Sequence, residues 1–184
     1  MLNLLYEALP DSILVDGEAY YINTDFKYWI ELSDALNAKQ VDKEYLTNVI
    51  LSLFVDKIPT MSSKAFEAIM TFFNGNVDDA KQGSSAPKRT KKVYDFKIDC
   101  DYFISSFLIQ YQIDLTKDDL HWWKFLSLFN GLDKCELTER IHYRSVDLSS
   151  IKDKQERDKV RKIQNSLKLD NHILSDEDIG GVLW

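Results

Sequence analysis

Three histidines, two cysteines and a few paired carboxylates are the side chains whose types could do chemistry in this sequence. Catalysis needs a nucleophile or an acid/base group set beside a partner. Glu139 and His142 stand three apart on one helix face, a spacing seen in carboxylate-bridged metal sites. Such sites take two Glu-x-x-His pairs with further carboxylates from facing helices, and no second pair occurs here. His121 falls in the polar stripe of an aromatic helix, where it reads as a packing or solvent-facing residue rather than a ligand. Cys100 and Cys135 lie outside any metal-ligand spacing and are expected to be reduced, inert thiols. Asp78-Asp79 and Asp118-Asp119 are accounted for by solvation and by the helix dipole. Phosphate-cradling glycine loops and the Gly-x-Ser-x-Gly elbow are missing. The expectation is therefore no catalytic, cofactor-binding or metal site, and no enzyme.

Composition agrees with a folded binding protein. Of 184 residues 45% are hydrophobic and 29% charged, and 6 Gly and 3 Pro exclude a collagen-like or linker-like chain. The longest uninterrupted apolar runs are short pieces such as Leu53-Phe54-Val55, so no membrane span is expected. Met1 to Pro10 lacks a basic n-region, which makes a cytoplasmic location the expectation. Net charge is −7, and it is uneven: residues 1–87 carry 13 acids and 6 bases, whereas residues 88–184 carry 17 of each. That balance argues against a nucleic-acid partner. Lys88-Arg89-Thr90-Lys91-Lys92 and the stretch from Lys152 to Lys168 are basic exceptions that read as solvated surface.

The elements that would position any site are mostly helical. Asp16-Gly17 between β-prone runs predicts a hairpin over 12–22. Thr24 or Asp25 caps a helix through Leu36. A second helix over 42–57 ends at Pro59, and a third runs from Ser62 or Ser63 to the Asn74-Gly75 stop, almost wholly buried. Residues 75–93 read as a flexible linker. Beyond it, Asp99 or Asp101 caps a helix to Gln112, and Thr116 with Asp119 opens an aromatic helix that closes at Asn130-Gly131. Helices over 136–144 and, headed by Ser150, over 151–167 follow, and the acidic then apolar tail reads as mobile. The expected architecture is mainly α: a bundle-like protein with a small N-terminal hairpin, organised as 1–74, a linker at 75–93, and a helical region at 94–184.

Apolar surplus is the outstanding feature. The third helix and the segment His121-Trp122-Trp123-Lys124-Phe125 are hydrophobic over most of their circumference. Such residues fill a core or meet another chain, since aromatics are enriched at interface centres. Phe72, Phe73, Trp122, Trp123 and Phe125 are the candidate partner contacts.

Several of these blocks carry a resemblance. Leu5-Tyr6-Glu7-Ala8-Leu9-Pro10 with Asp16-Gly17-Glu18, Ile22-Asn23-Thr24-Asp25-Phe26, Asp99-Cys100-Asp101-Tyr102-Phe103, Leu120-His121-Trp122-Trp123-Lys124-Phe125 and Tyr143-Arg144-Ser145-Val146-Asp147 resemble the bacteriophage gene-product-fifteen family over most of residues 4–165. Those are small tail-module proteins of long-tailed phages and prophages of Gram-positive bacteria. The resemblance implies a gene between those of the major tail protein and the tape-measure protein. A protein so placed is expected to be a tail assembly chaperone. It would coat the tape-measure protein in the host cytoplasm, release it as tail-tube subunits polymerise, and be absent from the mature virion. A minor structural subunit of the tail is the alternative, and self-association stays open.

Overall fold

The computed structural model describes residues 7–38, 42–75 and 92–169. The expected linker, apart from Gly75, Lys92 and Val93, and the tail beyond Leu169 lie outside the described residues. Among them the protein is mainly helical with one antiparallel hairpin, as its sequence leads one to expect. Contacts divide it into two units: 7–75 with 119–127, and 92–118 with 128–169. A boundary drawn along the chain at 75–93 does not capture the return of 119–127 to the first unit.

In the first unit, β1 (Ser12–Val15) pairs with β2 (Glu18–Tyr21). Asp16 and Gly17 both take positive φ, 52° and 84°, the primed turn that matches strand twist. α1 (Phe26–Leu36) is capped by Asp25, whose carboxylate accepts from Lys27 N–H at 2.9 Å. α2 (Lys43–Ser52) is capped by Asp42 and stops well short of Pro59. The reason is tertiary: Asn23 donates its side-chain amide to the Ser52 carbonyl and its backbone N–H to Leu53, both at 2.7 Å. Two of the carbonyls that leave α2 unsatisfied are thereby taken. The chain then runs extended, with Ile22 bridged to Phe54, along the far edge of β2. α3 (Ser63–Phe73) begins at the Ser62 cap and ends where Gly75 adopts φ 72°. It is less deeply placed than expected, because only Ala65, Ile69 and Phe72 are buried while Phe66, Ala68, Met70 and Phe73 are half-buried.

In the second unit, α4 (Cys100–Tyr111) ends with Gln112 in the left-handed region, φ 57°. Leu108 is exposed, and Ser106 is buried on the same helix as Phe103 and Phe107. α5 (Trp122–Asn130) starts later than Thr116. Residues 114–118 close on themselves instead, with Thr116 N–H and Oγ1 on Asp114 and Asp114 N–H on Asp118. α5 gives its residues through Ser127 to the first unit and the rest to the second. α6 (Glu136–Ser145) and a short 3-10 turn at Leu148–Ser150 follow. α7 (Lys154–Ser166) is capped by Asp153 rather than Ser150 and buries no residue fully. It rests on a half-buried stripe at Ile151, Val160, Ile163 and Leu167.

Candidate partner-binding groove

Aromatic packing sets the floor of the first unit. Trp29 meets Phe72 at 4.5 Å between ring centroids, Trp122 stacks on Phe73 at 5.4 Å and on Phe125 at 5.5 Å, and Phe26 stacks on Phe125 at 5.1 Å. Among the described residues every indole N–H finds a carbonyl. Trp122 Nε1–H donates to Phe73 and Trp123 Nε1–H to Phe72, each at 2.8 Å, so the first takes a free carbonyl at the end of α3 and the second joins Gly75 N–H on the other. Trp29 Nε1–H donates to Asn23 at 2.8 Å.

The segment before α5 is held by the turn before α1. Phe26 N–H donates to Leu120 and Trp122 N–H to Thr24, and Asp25 splits its carboxylate between Lys27 N–H and Leu120 N–H. His121 Nδ1 accepts from Trp123 N–H at 3.0 Å, and Nε2 lies 2.9 Å from the Pro10 carbonyl. This network fits the neutral Nε2–H tautomer, with His121 acting as a helix cap and a tether. It is structural, and its position is half-buried.

Four of the five aromatic partner candidates are therefore interior: Phe72, Trp122, Trp123 and Phe125 are buried and Phe73 is half-buried. Their indole donors and ring faces are already used, so the partner-contact expectation gives way to a core role for them. Lys124 is exposed. Open surface lies above the aromatic floor. A groove of about 520 Å³ runs between β1 and α3 over Phe72 and Trp123. Asp16 and Lys64 form an ion pair across it, and that carboxylate holds the Lys64 ammonium above its ordinary range. On the outer sheet face Leu14 (70% exposed), Tyr21 and Val55 present apolar side chains.

The second unit holds no comparable groove residue from the sequence reading, but it contains a polar centre that reading missed. Asp99 and Arg144 are both buried and form a two-pronged ion pair at 2.6 and 3.0 Å. Arg144 also donates to the carbonyls of Leu167 and Val93. Asp99 additionally accepts from Asp95 N–H, and Asp95 caps the turn through Lys97 and Ile98 N–H. Asp99 had been legible as a helix cap. It makes no cap bond, because Arg144, 45 residues away, uses both its oxygens.

Glu139 pairs with Lys134 at 3.4 Å, and His142 is exposed. Among the described residues no group of three or more His, Cys, Asp or Glu could hold a metal ion. Cys100 and Cys135 form no disulfide. Burial alone would raise the Cys135 thiol, but hydrogen bonds from Ser106 Oγ and from the N–H groups of Thr138 and Leu137 prevail and hold it below its ordinary value. Among the described residues no helix is long and apolar enough to cross a membrane.

The fold places a groove between the hairpin and α3 in a mainly helical protein. The family model for Bacteriophage Gp15 protein matches residues 5–169, and the chain belongs to that family. No curated protein and no solved structure matches it.

Proposed function

We propose that this phage protein is a tail assembly chaperone that binds the tape-measure protein in the host cytoplasm and yields it to the major tail protein. One observation carries this reading: an open, aromatic-floored groove on a member of a phage family, beside exposed apolar side chains at Leu14, Tyr21 and Val55. A holdase needs apolar contact surface and solubility, and the acidic first half supplies the second. The role is binding rather than catalysis, with no cofactor.

Co-expression with the tape-measure protein encoded beside it tests the reading. A soluble complex that is displaced by tail-tube protein is the expected outcome, and an insoluble tape-measure protein with no complex overturns it. A second reading, a minor structural subunit of the tail, draws on the outer face of the second unit, where Ile98, Leu108 and Ile109 are exposed and would suit a permanent joint. Mass spectrometry of purified particles separates the two, since only a subunit persists in the virion.

A further inference from the structure

Hairpin register decides which backbone groups of β1 are in use. Ile22 N–H donates to the Asp11 carbonyl at 2.9 Å, and the pairing continues as Ile13↔Tyr20 and Val15↔Glu18. In an antiparallel ladder alternate pairs exchange hydrogen bonds, so Ile13 and Val15 direct their N–H and C=O groups at β2. Ser12 and Leu14 direct theirs the other way. The far edge of β2 is covered, with Val55 N–H on the Tyr21 carbonyl and Asn23 N–H on Leu53. Among the described residues nothing pairs with the outer edge of β1. The groove lies along that edge, with β1 from Pro10 to Asp16 as one wall and α3 as the other, through Glu67, Ala68 and Thr71.

An edge strand facing a helix across a groove is the setting in which an extended peptide adds as a further strand, main-chain bonds giving affinity and alternate side-chain pockets giving specificity. A helix could not use this edge, because its own N–H and C=O groups are bonded internally. The rim has a charge. Asp11 and Glu67 are exposed carboxylates with no ion pair among the described residues, while Asp16 is matched by Lys64. Two β1 edges paired about Ile13 would set Asp11 of each copy opposite Val15 of the other and offer neither Asp11 a cation, which a basic residue on a peptide would supply.

We propose that this groove binds an extended peptide segment that adds to β1 as a strand, with apolar side chains at alternate positions over Ala68 and Phe72 and a lysine or arginine at the rim beside Asp11 or Glu67. The proposal rests on the groove being the partner site and adds the form in which a partner is held there. At about 3.3 Å per residue the segment spans about six residues.

The test uses the full chain and a short labelled peptide of alternating valine and threonine with a lysine at each end. Saturable binding by fluorescence polarisation is expected, weakened at least about tenfold when the peptide amides facing β1 are N-methylated. Replacing the terminal lysines by glutamates, or Glu67→Lys in the protein, is expected to weaken it severalfold. By amide exchange, Ser12 and Leu14 should gain protection on binding while Ile13 and Val15, already bonded, change little. Leu14→Pro deletes an outward N–H together with the exposed leucine side chain and should abolish binding, with Leu14→Ala as the control that loses the side chain alone and circular dichroism checking both folds; the N-methylated peptide gives the same answer without altering the protein. No binding, indifference to N-methylation, or unchanged Ser12 and Leu14 exchange overturns the proposal. So does a dimer in sedimentation that protects those two amides without peptide, which assigns the edge to a second copy. Tape-measure capture that survives Leu14→Pro overturns strand addition alone, whereas peptide binding with no tape-measure complex overturns the chaperone reading alone.

Discussion

The two units solve the same problem with opposite chemistry. The first orders its helices around stacked aromatic rings whose polar edges are spent on α3 and turn carbonyls. The second has an aromatic cluster too, Tyr94 with Phe103 and Phe129, but its ends are fastened by a buried charge pair that reaches Val93, Asp99 and Leu167 at once. Burial of apolar area is non-directional and tolerates volume-conserving change. A buried ion pair is directional: removing one partner strands the other, while replacing both by apolar groups is often neutral or stabilising. The first unit's order is thus spread over apolar contacts, whereas the second adds to its aromatic cluster one directional joint.

Breaking that contrast gives the largest effects. Arg144→Met alone, leaving Asp99 charged and buried, should cost about 3–5 kcal/mol in urea unfolding. Asp99→Leu combined with Arg144→Met should recover most of that loss. Trp122→Ala should cost a similar about 3–5 kcal/mol, and here no single compensating change is expected, since the indole both fills volume and caps Phe73. If the double substitution at Asp99 and Arg144 were as unstable as either single one, the contrast between the units would fail.

Trp123→Phe sharpens the comparison from the other side. It keeps the ring and removes one of the two donors to the Phe72 carbonyl, which retains Gly75 N–H, so a loss of about 0.5–1.5 kcal/mol is expected. Smaller still is the effect of Ser106→Ala. It removes a bond that favours the Cys135 thiolate, so the thiol should titrate higher and react severalfold more slowly with iodoacetamide near neutral pH.

The smallest effect concerns the 114–118 turn. The Thr116 hydroxyl and the Lys117 ammonium, with Thr116 N–H, draw the Asp114 carboxyl from 3.8 to about 2. A folded value below the unfolded one means stability that is present above pH 3.8 and lost as pH falls through about 2. The side chain is partly exposed, so solvent screens the effect. The D114N variant should show a slightly flatter decline of Tm across that window than the parent.

What the sequence could disclose follows from how local each signal is. Asp16-Gly17, the Asp25 cap and the Asn74-Gly75 stop are decided by neighbours in the chain, and all three stand in the structure. The ends of α2 and the start of α5 are decided from a distance, by Asn23 on Ser52 and by Thr24 and Asp25 on Trp122 and Leu120, so Pro59 and Thr116 misled. The aromatic block announced itself as apolar surplus, but composition does not tell a core from a surface. The groove exists only because β1 uses one edge for β2 and leaves the other beside α3, a matter of register. Asp99 and Arg144 carry no shared periodicity at all.

The return of residues 119–127 to the first unit has a consequence for synthesis. The chain leaves the ribosome N-terminus first, at about 5–20 residues/s. The walls of the first unit therefore emerge several seconds before the tryptophans that floor it. Until Trp122 and Trp123 arrive, the Phe72 and Phe73 carbonyls and the faces of Trp29 have no indole to meet them. The unit that is begun first is among the last to close, and the nascent chain passes through an interval in which its most apolar helix end is open to whatever stands nearby.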